Sequence, residues 1–261
     1  MFSWFVAILS FLTGACVQYS RQTRKVATAN YPVTKPPATV SVIIPAFNEE
    51  TFIEDTLLSL QNQNIIQEYP EMFEIIVVDN GSTDSTSIIA SQYAKVVFEP
   101  NRGKLNAKHK GVEEATGEII VFLDADVTYG PNFLNLLLRH FHESEVVAVS
   151  GCFLTGDVIR DIFAVQFNSW NSTLSSIFNG AASAMWKETY YAVGGHRLDI
   201  DQLDRNAVQD EEERAFLQRL KQVGKVVVDA EATVFVPNRF QECLMHLDGA
   251  YCAEVREGKR F

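Results

Sequence analysis

Asp124 and Asp126, in the stretch FLDADV, stand one residue apart at the end of an apolar run that starts at Ile119. Two carboxylates so placed repel, and an ionised carboxylate that is partly buried is costly unless a cation neutralises it. A divalent ion with all-oxygen ligation, Mg2+ or Mn2+, suits the pair, because little nitrogen or sulfur lies nearby in the sequence. Alone, an Asp-x-Asp triplet is a weak signal that also arises as loop capping. Its place directly after a buried apolar run is what makes it a candidate site.

The elements that must position this pair follow from hydrophobic periodicity. VSVIIP is a short β-branched run stopped by Pro45, and EETFIEDTLLSLQNQ is helical by the spacing of Ile53, Leu57, Leu58 and Leu60. EIIVVD reads as a second buried strand, STDSTSIIASQYA as a helix opened by Ser and Asp, and KVVFE as a third strand. GKLNAKHKGVEEA is a helix, EIIVFLD a fourth strand, PNFLNLLLRHF a helix opened by Pro131, and VVAVSG a fifth strand. Strands alternating with helices predict right-handed crossovers and a mostly parallel α/β sheet with helices on both faces. Ligands bind such sheets at the carboxyl ends of the strands. That rule gathers PAFNEE, DNGSTD and DADV on one edge, each directly after an apolar strand.

Composition bounds the function. At 261 residues and 47% hydrophobic, the chain can bury a large core in one domain. Its 33 acidic residues against 22 basic ones argue against a nucleic-acid groove, which needs clustered Lys and Arg, and suit a protein that holds a divalent cation. Cys16, Cys152, Cys243 and Cys252 show no metal-ligand spacing and read as reduced packing thiols. Met1 to Tyr19 carries no charged side chain, roughly 28 Å of helix at 1.5 Å per residue, enough to span a bilayer. A cleaved secretory signal fits less well, since Arg21, Arg24 and Lys25 follow the apolar run instead of preceding it. Positive-inside logic then makes this a single-pass membrane protein whose catalytic domain faces the cytoplasm. The expected organisation is a transmembrane anchor over 1–20, an extended Pro-containing linker over 21–38, a catalytic domain over 39–238 and a helical tail over 239–261.

SVIIPAFNEE, VVDNGSTDST, GKLNAKHKG, FLDAD and a GGH turn followed by an acidic helix, in that order over roughly residues 40 to 235, resemble the successive motifs of family 2 glycosyltransferases with the GT-A fold. The resemblance implies an inverting transfer of a sugar from a nucleoside-diphosphate donor, with Mn2+ or Mg2+ as cofactor. By position, Pro45, Ala46, Asn48 and Glu49 match the loop that holds the nucleotide base and ribose, and Asp79 the aspartate that bonds the base. Lys104 matches a lysine near the donor, Asp124 the carboxylate facing ribose and sugar, and Asp126 the metal ligand that bridges the diphosphate. A uracil-like base is favoured, with guanine or thymine left open.

Inverting transfer also needs a base for the acceptor hydroxyl. QDEEERAFLQRLKQVG offers four acids at a helix start, where the dipole favours acids in any case. With about 100° per residue, Glu213 lies within roughly 30° of the centre of the apolar stripe Phe216, Leu217, Leu220 and Val223, whereas Glu211 faces away and Asp210 lies well to the side. The family's Arg-Leu pattern, aligned on Arg219-Leu220, selects the pair Glu212-Glu213. Glu213 is the expected base and Asp210 its rival. NGAASAMWKETYYAVGGHR resembles the segment where a small-residue loop and a Gly-Gly turn shape the acceptor pocket, making Trp186, Gly195 and His196 acceptor-side candidates. The acceptor implied is a glycan or a polyprenyl-phosphate-type lipid near the membrane. The Gln-x-x-Arg-Trp signature of chain-extending relatives is absent after residue 236, which favours a single transfer or a truncated relative.

Two rival readings compete. IIVFLDADVT also fits the opening motif of haloacid-dehalogenase phosphatases, with Asp124 as nucleophile and Asp126 as acid. Against that, long α/β structure precedes the motif, and the acidic GDVIRD follows it too soon. A catalytically inactive sugar-nucleotide-binding protein would keep the base pocket but lose the metal or the general base, and residues for both are present.

Overall fold

β-branched and apolar runs with no charged interior make the centre of the sheet. These are β1 (Val40–Ala46), β2 (Phe73–Asp79) and β4 (Ile119–Leu123), whose middle residues are almost wholly buried. The structure, a computed structural model, describes residues 31–154, 182–196 and 205–235. Around those strands the chain places α1 (Ile53–Gln61), α2 (Asn64–Glu68), α3 (Thr86–Ala90), β3 (Lys95–Phe98), α4 (Lys104–Glu114) and α5 (Phe133–Leu138). It continues with β5 (Val146–Leu154), β6 (Ala182–Trp186), α6 (Lys187–Ala192), α7 (Arg205–Val223) and β7 (Lys225–Phe235).

These strands form one seven-stranded sheet in the order β3-β2-β1-β4-β6-β5-β7. β1 runs parallel to β2 and β4, and β2 to β3, as the β-α-β alternation predicts, while β5 runs parallel to β7, a strand the sequence reading did not single out. The departure is β6. The segment expected to be an acceptor loop is instead a strand, inserted antiparallel between β4 and β5. Its small side chains, Ala182, Ser183 and Ala184, are fully buried.

Helices cover both faces. α1, α3 and α5 bury Leu57, Leu60, Ala90, Leu134 and Leu137 against one side, and α4, α6 and α7 bury Ala107, Val112, Tyr190, Phe216 and Leu220 against the other. Gly111 sets how closely α4 lies on β1, for a Cβ there would fall 2.3 Å from Ile43 Cγ2.

The end of the expected linker is no free tether. The Asn135 side chain on α5 accepts from the Thr34 amide at 3.2 Å and donates to the Pro32 carbonyl at 3.0 Å, while Tyr31 and Val33 pack on the core. Proline removes donors and periodicity but does not stop a segment docking through its carbonyls. The anchor expected over 1–20, the first part of the linker and the tail over 239–261 lie outside the described residues. Among the described residues no helix is long and apolar enough to cross a membrane.

Candidate active site

Register brings the three strand-end motifs together. Ile43 is level with Phe122 and Ala46 with Asp79, so the residues after β1, β2 and β4 emerge side by side. Hydrogen bonds then fasten the first two loops. The Asn48 amide donates to Ser82 Oγ at 3.0 Å, and Asn48 Oδ1 accepts from the Thr83 amide at 2.8 Å, with Asn48 held at a φ of 54°. The Glu49 amide donates to Thr86 Oγ1 at 2.8 Å. Asp79 is buried and its Oδ1 accepts from the Ser82 amide at 2.9 Å. The Ala46 side chain is in the core, and its carbonyl accepts from the Asn80 amide, so this residue presents only backbone to the edge. Pro45 is half-buried at the close of the strand. Arg102, which the sequence reading did not single out, lies with its guanidinium 3.2 Å from the Phe47 ring centre, a cation–π stack bordering this loop pair.

The cost of two adjacent carboxylates is met partly from within the chain. Lys104 Nζ lies 2.6 Å from Asp124 Oδ1, projecting from the first turn of α4. Burial opposes the Lys104 charge, but Asp124, Glu213 and Asp126 outweigh it and hold the lysine above its ordinary pKa. The Asp124 amide donates to Tyr129 Oη at 2.8 Å, fixing the backbone of the pair, and Thr56 Oγ1 donates to the Ala125 carbonyl at 2.8 Å. Burial and the Asp124 charge push the Tyr129 phenol well above its usual pKa, so it stays neutral.

Asp126, one residue further on, is half-buried, and its charge also acts on Lys104. Among the described residues no group of three or more His, Cys, Asp or Glu side chains could hold a metal.

Two of the four acids of α7 have described side chains, and each meets its own cation. Glu213 Oε1 accepts from Lys108 Nζ, whose side chain is 1% exposed. Glu212 accepts from Arg219 at 2.7 Å and is itself buried. Arg219 also donates to the carbonyls of Val193 at 3.1 Å and Gly195 at 2.8 Å, tying α7 to the Gly-Gly turn. The side chains of Asp210 and Glu211 lie outside what the structure describes.

Of the acceptor-side candidates, Gly195 holds a φ of 60° and would clash with the Tyr190 ring if it carried a Cβ. His196 is buried against Phe216, with a ring-centre distance of 4.3 Å, and its amide donates to Tyr190 Oη. Burial, then the charges of Lys108 and Arg219, hold its imidazole well below the usual pKa. It is therefore a neutral core ring packed on α7. The structure does not bring Trp186 to the edge. It is level with Ile119, at the opposite end of β4 from the aspartates, where its indole donates to the Val146 carbonyl at 3.1 Å. The antiparallel run of β6, unseen in the sequence, puts it there.

Lys108 and Tyr129 also escaped the sequence reading. Lys108 follows Lys104 by four residues, so the two share a helix face, which was the available signal.

A mixed, mostly parallel sheet that gathers an Asp-x-Asp pair, a lysine and a helix-borne glutamate at one edge is the arrangement of the GT-A class. Residues 41–197 match glycosyl transferase family 2, and the chain belongs to that family. This membership removes the phosphatase reading, since the match spans the α/β structure preceding Asp124, and Asp124 is held in an ion pair.

Among curated relatives, glycosyltransferase AglE of Haloferax volcanii is 37% identical over 95 residues, 33% of this chain and 30% of that protein. The poly-beta-1,6-N-acetyl-D-glucosamine synthase of Staphylococcus epidermidis is 33% identical over 119 residues, 43% of this chain and 28% of that protein. The chain thus spans less than a third of the length of these relatives. Among solved structures, the mannosyltransferase PcManGT from Pyrobaculum calidifontis, in complex with GDP-Man and Mn2+, superposes with a TM-score of 0.62 at 23% identity, covering 98% of this chain and 76% of that one. Glucosyl-3-phosphoglycerate synthase from Mycobacterium tuberculosis, in complex with Mn2+, UDP and glucosyl-3-phosphoglycerate, gives 0.56 at 21% identity, covering 80% and 77%. At these identities the likeness is one of fold.

Proposed function

We propose that this chain is an inverting glycosyltransferase that moves a sugar from a nucleoside-diphosphate donor, a UDP-sugar on the present reading, to a glycan or polyprenyl-phosphate-type acceptor. The observation that carries the reading is the strand-end pair, with Asp124 held by Lys104 and Asp126 beside it, facing a helix that presents Glu213. The loops after β1 and β2, with Pro45, Ala46, Asn48, Glu49 and Asp79, form the nucleotide side. Asp126 would hold Mn2+ or Mg2+ together with the donor diphosphate, and the ion would offset the negative charge gathering on the leaving group. Lys104 adds a second positive charge at that place and orients Asp124 toward the sugar. Glu213 takes the acceptor hydroxyl proton from the opposite side. The charge-free Met1–Tyr19 stretch and the basic residues after it support a single-pass anchor that keeps the site at a cytoplasmic membrane face.

The test is nucleoside-diphosphate release by the full chain from UDP-, GDP- and TDP-sugars, with Mn2+, Mg2+ or EDTA. Release from one donor that EDTA abolishes supports the reading and names the sugar. UDP with Mn2+ binding tightly without turnover on any donor or acceptor would favour the inactive-binder alternative.

A further inference from the structure

α4 carries two lysines one turn apart, and each meets a different carboxylate. Lys104 pairs with Asp124 on the donor side, and Lys108 pairs with Glu213 on the base side. The helix is pinned to the sheet at Gly111, so the spacing between its two lysines is fixed by rigid backbone. Lys108 is fully buried, which is costly for an ammonium and calls for a reason. Burial lowers its pKa, with Glu213 opposing that effect. Its partner is held by one oxygen only. Glu213 Oε1 accepts a hydrogen bond from Lys108 Nζ, while Oε2 is buried and has no hydrogen-bond partner among the described residues. The neighbours Tyr190 and His196 are engaged elsewhere or neutral, and Arg219 is committed to Glu212 and the Gly-Gly turn.

We propose that Lys108 is a positioning residue for the transfer: by pinning Glu213 Oε1 it turns Oε2 toward the acceptor hydroxyl and fixes the base at a set distance from Asp124. The inference rests on the reading of Glu213 as the base. Lys108 touches neither donor nor acceptor and acts only through that carboxylate.

A double-mutant cycle of Lys108→Met and Glu213→Gln tests it. Donor turnover is measured on UDP-glucose, UDP-N-acetylglucosamine, GDP-mannose and TDP-glucose, and UDP with Mn2+ is titrated calorimetrically into each variant. Lys108→Met is expected to lower kcat at least tenfold, with donor KM and UDP affinity within about twofold of the parent. Added to Glu213→Gln, it is expected to lower kcat no further. The double variant removes both buried charges together, so it keeps its fold even where Lys108→Met alone is unstable. Additive losses in kcat, or a loss confined to KM and thermal stability, would make Lys108 merely structural and overturn the proposal. If Glu213→Gln abolishes turnover while Lys108→Met keeps full kcat, the positioning role alone is lost. If Glu213→Gln itself retains kcat, the base assignment fails and this inference with it.

Discussion

At the scale of single residues, the neighbouring Asp124 and Asp126 are made unequal by what surrounds them. Lys104 neutralises Asp124 at 2.6 Å, and the Tyr129 hydroxyl holds its backbone amide, so the first aspartate is a fixed, compensated anion. On the proposed reading the second is the metal ligand. Asp126→Asn removes its charge without altering volume or strand structure. It is expected to lower metal-dependent turnover by about a hundredfold or more, the scale typical for losing one charge-stabilising group at a reacting centre. Circular dichroism should be unchanged and Mn2+-dependent UDP binding lost, and full turnover by this variant would refute the metal assignment. Lys104→Met is expected to act differently. It strips the compensation from Asp124, so it should weaken donor binding and also lower the thermal midpoint, because an unpaired, partly buried carboxylate is left behind. Comparing donor KM and melting for the two variants separates a metal ligand from a charge-compensating lysine.

At the scale of elements, the Gly-Gly turn after α6 shows how backbone geometry holds a site together. Gly194 and Gly195 both sit at positive φ, 84° and 60°. A Cβ on Gly194 would meet nothing within 4 Å, whereas one on Gly195 would lie 2.9 Å from the Tyr190 ring. Gly194→Ala is therefore expected to cost about 1 kcal/mol for the left-handed backbone alone, and Gly195→Ala about 1–3 kcal/mol more because the ring must move. Urea denaturation of the two variants checks the order. The Gly195 carbonyl also receives Arg219, so this variant should lose turnover beyond its loss of stability. The four strands from Val40 to Leu123 were legible because each is a contiguous apolar or β-branched run, and so were α1, α3 and α4, whereas the short α2 (Asn64–Glu68) was not read from the sequence. β6 was not, because Ala-Ser-Ala carries neither bulk nor β-branching and becomes a strand only through burial between β4 and β5. That omission misplaced Trp186. Lys108 was hidden for a similar reason: the i,i+4 spacing puts it on the helix face of Lys104, but nothing in KLNAKHK shows that α7, a hundred residues later, covers and pairs it. The pairing of Glu212 with Arg219 needed the turn that Arg219 reaches.

At the scale of the whole molecule, the groups whose proton affinity changes on folding predict how stability responds to acid. His196 has an ordinary pKa of 6.5 when unfolded, but in the folded chain burial and the neighbouring Lys108 and Arg219 charges hold it well below that. Between those two values the unfolded chain binds a proton that the folded chain refuses, so unfolding becomes easier as pH falls below about 6.5. Above that pH the imidazole is neutral in both states and contributes no slope. A second stage follows at lower pH. Glu74, Asp84 and Asp229 are each opposed by burial, but hydrogen bonds from Ser41, Thr86 and His140 respectively outweigh it and depress their pKa values. Their contribution is present above the ordinary carboxylate range and is lost as pH falls through their folded values. Urea denaturation at steps from pH 8 to pH 4 should therefore show a plateau, then a decline beginning near pH 6.5, then a steeper one. In His196→Phe the ring still packs on Phe216, and the backbone amide still reaches Tyr190. That variant should lose the first decline and keep the second. If its profile instead overlays the parent's from pH 8 to pH 5, His196 titrates alike in both states, and the acid response belongs to the carboxylates alone.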